Sequence, residues 1–178
     1  MKDILKHGII LFVIVFVCSF ALIGVNSQTA EIIARNKEKQ ETEARMVVLP
    51  QADSFLEVEE GIFKGEKDGK TVGYTVNASA NGFGGEIRIL VGINPDGTIS
   101  GVSILEMSET AGLGTKANNP GFLGQYLGKS GELKVVKGSA KNESEISAIS
   151  GATITSNGVT SAVNSAIKTL ADKGYINK

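Results

Sequence analysis

Apolar residues fall into three regimes along the chain. The first is an unbroken run, Gly8–Val25 (GIILFVIVFVCSFALIGV), 18 residues without a charge. As a helix it is about 27 Å long, close to the roughly 30 Å hydrocarbon core of a bilayer. A cleaved signal sequence has a shorter apolar core, about 7–15 residues, followed by a small-x-small site. Val25-Asn26-Ser27 fits that site poorly, and Val17 is too large for the residue before a lipidated Cys18. A retained membrane helix is therefore expected, with a cytoplasmic start and the span within residues 1–27. Lys2, Lys6 and the amino terminus precede the run, but Arg35, Lys37, Lys39 and Arg45 follow it. Basic residues on both sides leave the charge rule undecided. A short anchor before one large domain favours the amino terminus inside and the domain on the extracytoplasmic (periplasmic) side of the plasma membrane.

The second regime, residues 28–48 (QTAEIIARNKEKQETEARMVV), alternates charges and holds strong helix formers without Gly or Pro. It predicts a solvated helical stalk over 28–50, stopped at Pro50. The third regime, 51–178, carries strand-like alternation and turn residues. Ile62-Phe63 and Thr71–Val76 flank Lys67-Asp68-Gly69-Lys70, a hairpin signature. Glu86–Ile93 and Thr98–Leu105 flank Asn94-Pro95-Asp96-Gly97, which suits a type I turn. Leu133–Val136 reads as a further short strand, and Pro120–Leu127 as a short helix with Pro at its first position. Val159, Val163, Ile167 and Leu170 recur at helical spacing, with Thr155 or Ser156 as the expected N-cap and Gly174 as the stop. Hairpins in the middle and helices at the ends predict an α+β fold: a twisted, mainly antiparallel sheet domain with a C-terminal helix.

Composition then removes function classes. Lys and Arg number 18 against 19 Asp and Glu, so no broad basic surface exists for nucleic acid. One Cys and one His, His7, leave no disulfide framework, Cys-ligated cluster or His-based triad. The 22 glycines imply many turns or close backbone approaches. Chemistry here is expected from a bound cofactor rather than from the chain's own acids and bases.

Three glycine-containing segments are the candidates. Ser150-Gly151-Ala152-Thr153-Ile154-Thr155 lies just before the last helix, where free N–H groups and the helix dipole suit a phosphate. Gly151 and Ala152 let a bulky group approach, and Thr153 offers a hydroxyl; by itself a pattern this short reads as a small-residue loop capping a helix. Glu109-Thr110-Ala111-Gly112-Leu113-Gly114-Thr115-Lys116 places Leu113 between two glycines, a possible apolar floor for a flat ligand or an ordinary loop with Glu109 solvated. Asn81-Gly82-Phe83-Gly84-Gly85-Glu86 reads as a bulge or tight turn.

In this order, behind an N-terminal anchor, GFGGEIRILVGINPDGTISGV, ETAGLG and SGATITSNGV resemble one family over roughly residues 70–173. It is the FMN-binding domain shared by the G subunit of the Rnf electron-transport complex and the C subunit of the sodium-pumping NADH:quinone reductase. The resemblance implies FMN attached through a phosphoester to the Thr of the Ser/Thr-Gly-Ala-Thr motif, here Thr153, by a flavin transferase that uses FAD. It also implies Glu109, Thr110, Gly112, Leu113 and Gly114 beside the flavin, Lys116 close by, and Ser150, Gly151, Ala152 and Thr155 around the attachment point. Ser147 stands where the transferase motif usually has Asp, and Ala111 where the loop often has Pro. The short chain and SETAGLGTKANNPGF look more like the Rnf protein than the longer quinone-reductase one.

The implied role is an electron carrier, without independent catalytic activity, in a membrane complex coupling ferredoxin:NAD electron transfer to Na⁺ or H⁺ movement. Other membrane and redox subunits and the lipid bilayer are its expected partners. The alternatives are a noncatalytic scaffold or docking protein, the corresponding quinone-reductase component, or a free-standing anchored flavodomain. One site requires that 109–116 and 150–155 converge, with Thr153 about two residues before the N-cap.

Overall fold

The computed structural model describes residues 2–176. It opens with one helix, α1 (Lys2–Val48), and divides into two units, residues 1–40 and 41–178. In the first unit, α1 is long and apolar enough to cross a bilayer, and its most apolar stretch is exposed throughout. Phe12, Phe16, Phe20 and Leu22 all lie exposed, as lipid-facing side chains do. Beyond the apolar run, Arg35 pairs with Glu31 one turn earlier at 2.7 Å on a solvated surface.

The second unit is built on a five-stranded antiparallel sheet of consecutive hairpins: β1 (Ser54–Glu59), β2 (Ile62–Lys67), β3 (Lys70–Asn81), β4 (Glu86–Ile93) and β5 (Ile99–Met107). Its turns are those written in the residues. Asp68 and Gly69 take φ of 50° and 72° between the paired Lys67 and Lys70, the two-residue turn that matches strand twist. Gly97 N donates to Asn94 O at 2.9 Å, closing the Asn-Pro-Asp-Gly turn. The segment expected as a bulge or turn, 82–85, is the β3–β4 connection, with Gly82 N donating to Gly85 O at 2.8 Å.

After β5 the chain runs through a 3₁₀ turn (Gly114–Asn118), α2 (Pro120–Leu123), a second 3₁₀ turn (Gly124–Tyr126), β6 (Lys134–Val136) and β7 (Glu145–Ser147). The helix expected over 120–127 therefore tightens after one turn: Pro120 does begin it, but Gly124 opens a 3₁₀ segment that ends at Tyr126. β6 and β7 pair in parallel. β7 carries one buried side chain, Ile146, in three residues, too little pattern to be read as a strand.

The final helix, α3 (Thr153–Asp172), starts earlier than its hydroxyls suggest. Neither Thr155 nor Ser156 caps it; Ala152 is the N-cap and supplies no side-chain bond. Those two hydroxyls have other partners, Glu109 for Thr155 and the Ala152 carbonyl for Ser156, so local capping preference yields. Thr153 is consequently the first helical residue rather than a loop residue two positions before a cap. The other end matches expectation: Gly174 sits at φ 74°, its N–H bonds Ala171 O, and Tyr175 N bonds Leu170 O at 3.0 Å, a Schellman ending.

The two sheet faces are covered differently. Ile87, Ile89, Val91 and Ile93 point to one face, where Val159, Val163, Ala166 and Leu170 of α3 complete the main core. On the opposite face Leu90 meets Ala44 and Val48 from the last turns of α1. Four glycines make that second contact possible. A Cβ at Gly92 would fall on the Val48 carbonyl, one at Gly65 on Leu49, while at Gly101 and Gly73 it would lie 2.6 Å from Val48 Cα and 2.8 Å from Leu49 Cδ1. An extra residue in β5, where Ile93 pairs Ile99 but Gly92 pairs Gly101, brings Ser100 to the same face, and its hydroxyl donates to Val48 O at 2.6 Å. Residues 41–49 are thus part of the folded domain.

Candidate functional site

At the α3 end of the sheet, three loops enclose a cleft of about 350 Å³. Phe83 comes from the β3–β4 turn. Glu109, Thr110, Leu113 and Gly114 come from the segment after β5, and Gly151, Ala152, Thr153, Ile154 and Thr155 from the entry to α3. The two segments expected to share a site do converge, although they lie about 40 residues apart in sequence. Backbone geometry explains why. Gly151 sits at φ 78°, a conformation that side-chain-bearing residues avoid, and it turns the chain sharply into α3. A Cβ there would stand 3.3 Å from Leu113 Cδ2, so the two loops meet closely at this point.

The entry to α3 has the chemistry of an anion site. Ser156 N donates to Ala152 O at 3.0 Å, the first bond of the helix. The N–H groups of Thr153, Ile154 and Thr155 therefore have no acceptor within the helix, and they mark the positive end of its dipole. Thr153 is half-buried at that end, and its hydroxyl has no hydrogen-bond partner among the described residues. The neighbouring hydroxyls differ: Thr155 donates to Glu109 Oε2 at 2.8 Å, and Ser156 both donates to Ala152 O and accepts from Ile149 N. Apolar side chains rim the opening, with Phe83 69%, Ile154 55% and Leu113 45% exposed. An apolar rim beside free N–H groups suits a ligand with an apolar body and an anionic end.

Glu109 is not a solvated loop residue. Its Oε1 accepts from Phe83 N at 2.8 Å and Gly84 N at 3.2 Å, while Oε2 takes the Thr155 hydroxyl. Of the other expected residues, Gly112, Lys116 and Ser150 stay outside the cleft wall. Gly112 is exposed at φ 76° and donates its N–H to Thr115 Oγ1, Lys116 is exposed in the following 3₁₀ turn, and Ser150 is exposed one residue before Gly151. Phe83 and Ile154 line the cleft without being among the expected cofactor residues. The sequence signal for Phe83 is its place in a glycine turn ahead of the strongest strand; Ile154 stands among hydroxyl residues and carries no signal of its own.

Ser147 has a structural part. Its hydroxyl accepts from Ala140 N at 2.8 Å, and its own N–H donates to Gln125 Oε1 at 2.8 Å. An acceptor at this position therefore holds the 137–144 loop against the segment that leads into Ser150–Thr155.

Two family models match the chain: the FMN-binding domain over residues 82–168 and the RnfG N-terminal region over residues 1–48. The G subunit of the Na⁺-translocating ferredoxin:NAD⁺ oxidoreductase complex of Acetobacterium woodii is 42% identical, over 94% of this chain and 91% of that protein. The G subunit of the proton-translocating ferredoxin:NAD⁺ oxidoreductase complex of Clostridium ljungdahlii is 32% identical, over 86% and 84%. The C subunit of the Na⁺-translocating NADH-quinone reductase of Vibrio anguillarum is 39% identical, but over only 47% and 37%. Among solved structures, NqrC of Shewanella oneidensis superposes with a TM-score of 0.55 at 29% identity, over 68% of this chain and 66% of that one. The chain spans slightly less than two thirds of that solved protein's length.

Proposed function

The chain belongs to the family of G subunits of ion-translocating oxidoreductase complexes and carries that family's FMN-binding domain, and from that membership we propose that Thr153 holds the FMN through a covalent phosphoester. We read the protein as the electron-carrying component of a complex that couples electron exchange between ferredoxin and NAD to Na⁺ or H⁺ movement. The match along 91% of a G subunit, against 37% of a quinone-reductase C subunit, favours this over the quinone-reductase counterpart. We place the anchor in the membrane and the domain on the extracytoplasmic side, with a flavin transferase acting on it there.

The observation that carries the reading is the Thr153 hydroxyl, open in the cleft at the first position of α3. The residues present fit the group. The N–H groups of Thr153, Ile154 and Thr155 would hold the phosphate, and the dipole favours its charge by about 0.3–1 kcal/mol. Gly151 and Ala152 leave the backbone accessible, and Phe83, Leu113 and Ile154 offer apolar surface to the ring. When bound, FMN supplies electron transfer. The chain supplies position, and Glu109 serves that end through contacts to two amides of the β3–β4 turn and to the Thr155 hydroxyl of α3.

Intact mass of the full chain, produced together with a flavin transferase, tests this directly. The expected mass is that of the chain plus one FMN less one water. An unmodified mass would instead fit the scaffold alternative, in which the glycine loops only pack against neighbours. Leu113→Asp tests the ring's location. A carboxylate on that rim should shift the flavin absorption and lower its potential while attachment persists; an unchanged spectrum and potential would place the ring elsewhere.

A further inference from the structure

We propose that Glu109 is a positioning residue, a single carboxylate that ties the β3–β4 turn to the first turn of α3 and so sets the shape of the cleft. Its meaning for cofactor loading rests on the FMN reading above; the bridge itself does not. One oxygen gathers the Phe83 and Gly84 amides, at 2.8 and 3.2 Å, and the other takes the Thr155 hydroxyl at 2.8 Å. These partners lie 26, 25 and 46 residues away in sequence. The glycines around it are explained by its path. A Cβ at Gly82 would fall on Oε1 and one at Gly114 on Oε2, while a Cβ at Gly84 would fall on the Ser108 carbonyl just before it. The two glycine-containing loops are therefore cut to let one side chain pass between them.

The bridge has a consequence for ligand binding. Two donors of the glycine turn and one hydroxyl of α3 are consumed by Glu109, yet the α3 backbone N–H groups are not among its partners and stay available. The carboxylate also fixes Phe83, whose ring rims the cleft on the turn that Glu109 holds. The requirement is for length more than for charge. Asp is shorter by one methylene, about 1.5 Å, and cannot keep both arms within hydrogen-bond distance. Gln keeps the length: its oxygen accepts from the two amides, and the Thr155 hydroxyl can rotate to accept from its NH₂.

The test compares full-length wild type, Glu109→Ala, Glu109→Asp and Glu109→Gln, without flavin, by amide hydrogen exchange in detergent. In Ala and Asp, the Phe83 and Gly84 amides should exchange about tenfold faster or more, the scale of one lost bond to a carboxylate, with the Ile89–Val91 amides unchanged. Gln should stay within about threefold of wild type. Where Ala fails to fold, the Asp and Gln pair carries the comparison. The same four chains, produced with the transferase, should show covalent FMN falling in Ala and Asp and retained in Gln. Wild-type protection in Ala or Asp, or a Gln variant as exposed as Ala, overturns the bridge. If wild type takes up no flavin but the exchange pattern holds, the FMN reading fails and the bridge stands. If wild type is loaded and the Ala variant is equally protected and loaded, the bridge fails and the FMN reading stands.

Discussion

Thr153→Val should give a folded, membrane-bound chain with no covalent flavin. Valine reproduces the shape of threonine without its hydroxyl, and Thr153 has no hydrogen bond to lose among the described residues. The residue is only half-buried at the first position of α3, so the stability change should be small, about 0.5 kcal/mol. The effect on attachment should be total, because a phosphoester cannot form without the oxygen. In-gel flavin fluorescence after denaturation reads this. A signal that survives in the variant assigns the bond to another residue.

The other hydroxyls nearby are disfavoured for separate reasons. Ser156 is fully buried and shared between Ala152 O and Ile149 N, and Thr155 is 1% exposed and bonded to Glu109. Either would have to leave a made bond and emerge from the core to be modified. Ser150 is exposed but precedes the sharp turn at Gly151 and does not line the cleft. The same substitution at Thr155 should therefore act through Glu109 rather than through the attachment point.

Much of this was legible along the chain, because its causes are local. The Asp68-Gly69 and Asn94–Gly97 turns, the apolar stripe of α3 and the Gly174 stop each depend on residues within a few positions. The site segments were legible as glycine and hydroxyl clusters. What joins them was not, since Glu109 and its partner Thr155 are 46 residues apart and the pairing leaves no period in the sequence. The N-cap of α3 differs from the local expectation for that reason: a distant carboxylate claims the Thr155 hydroxyl that local preference assigns to capping. The strand β7 leaves no sequence pattern because two of its three residues are polar and its partner is parallel. That Gly65, Gly73, Gly92 and Gly101 make room for Val48 and Leu49 is visible only in the fold, because those partners lie far away in sequence.

That room has a measurable consequence for where the domain begins. A chain starting at residue 41 should unfold cooperatively at nearly the temperature of the full-length domain, whereas one starting at residue 51 should lose roughly 10–20 °C. Val48 and Leu49 are fully buried on the glycine-lined face of the sheet, and Ala44 is 8% exposed beside Leu90. Burial of a Val or Leu side chain is worth about 1.5–3 kcal/mol, so these two account for about 3–6 kcal/mol, an upper figure because the unfolded chain is partly compact. Polar contacts add to it. The Arg45 guanidinium lies 3.6 Å from the centroid of Phe63, and Glu41 lies 3.4 Å from Arg45 and 3.3 Å from Arg88. Against the usual 5–15 kcal/mol of a domain, removing all of this is a large loss. It would also uncover Leu90 and leave the Ser100 hydroxyl without the Val48 carbonyl. Circular dichroism melts of the two truncated chains decide the matter: equal midpoints would mean that residues 41–49 rest on the sheet without stabilising it.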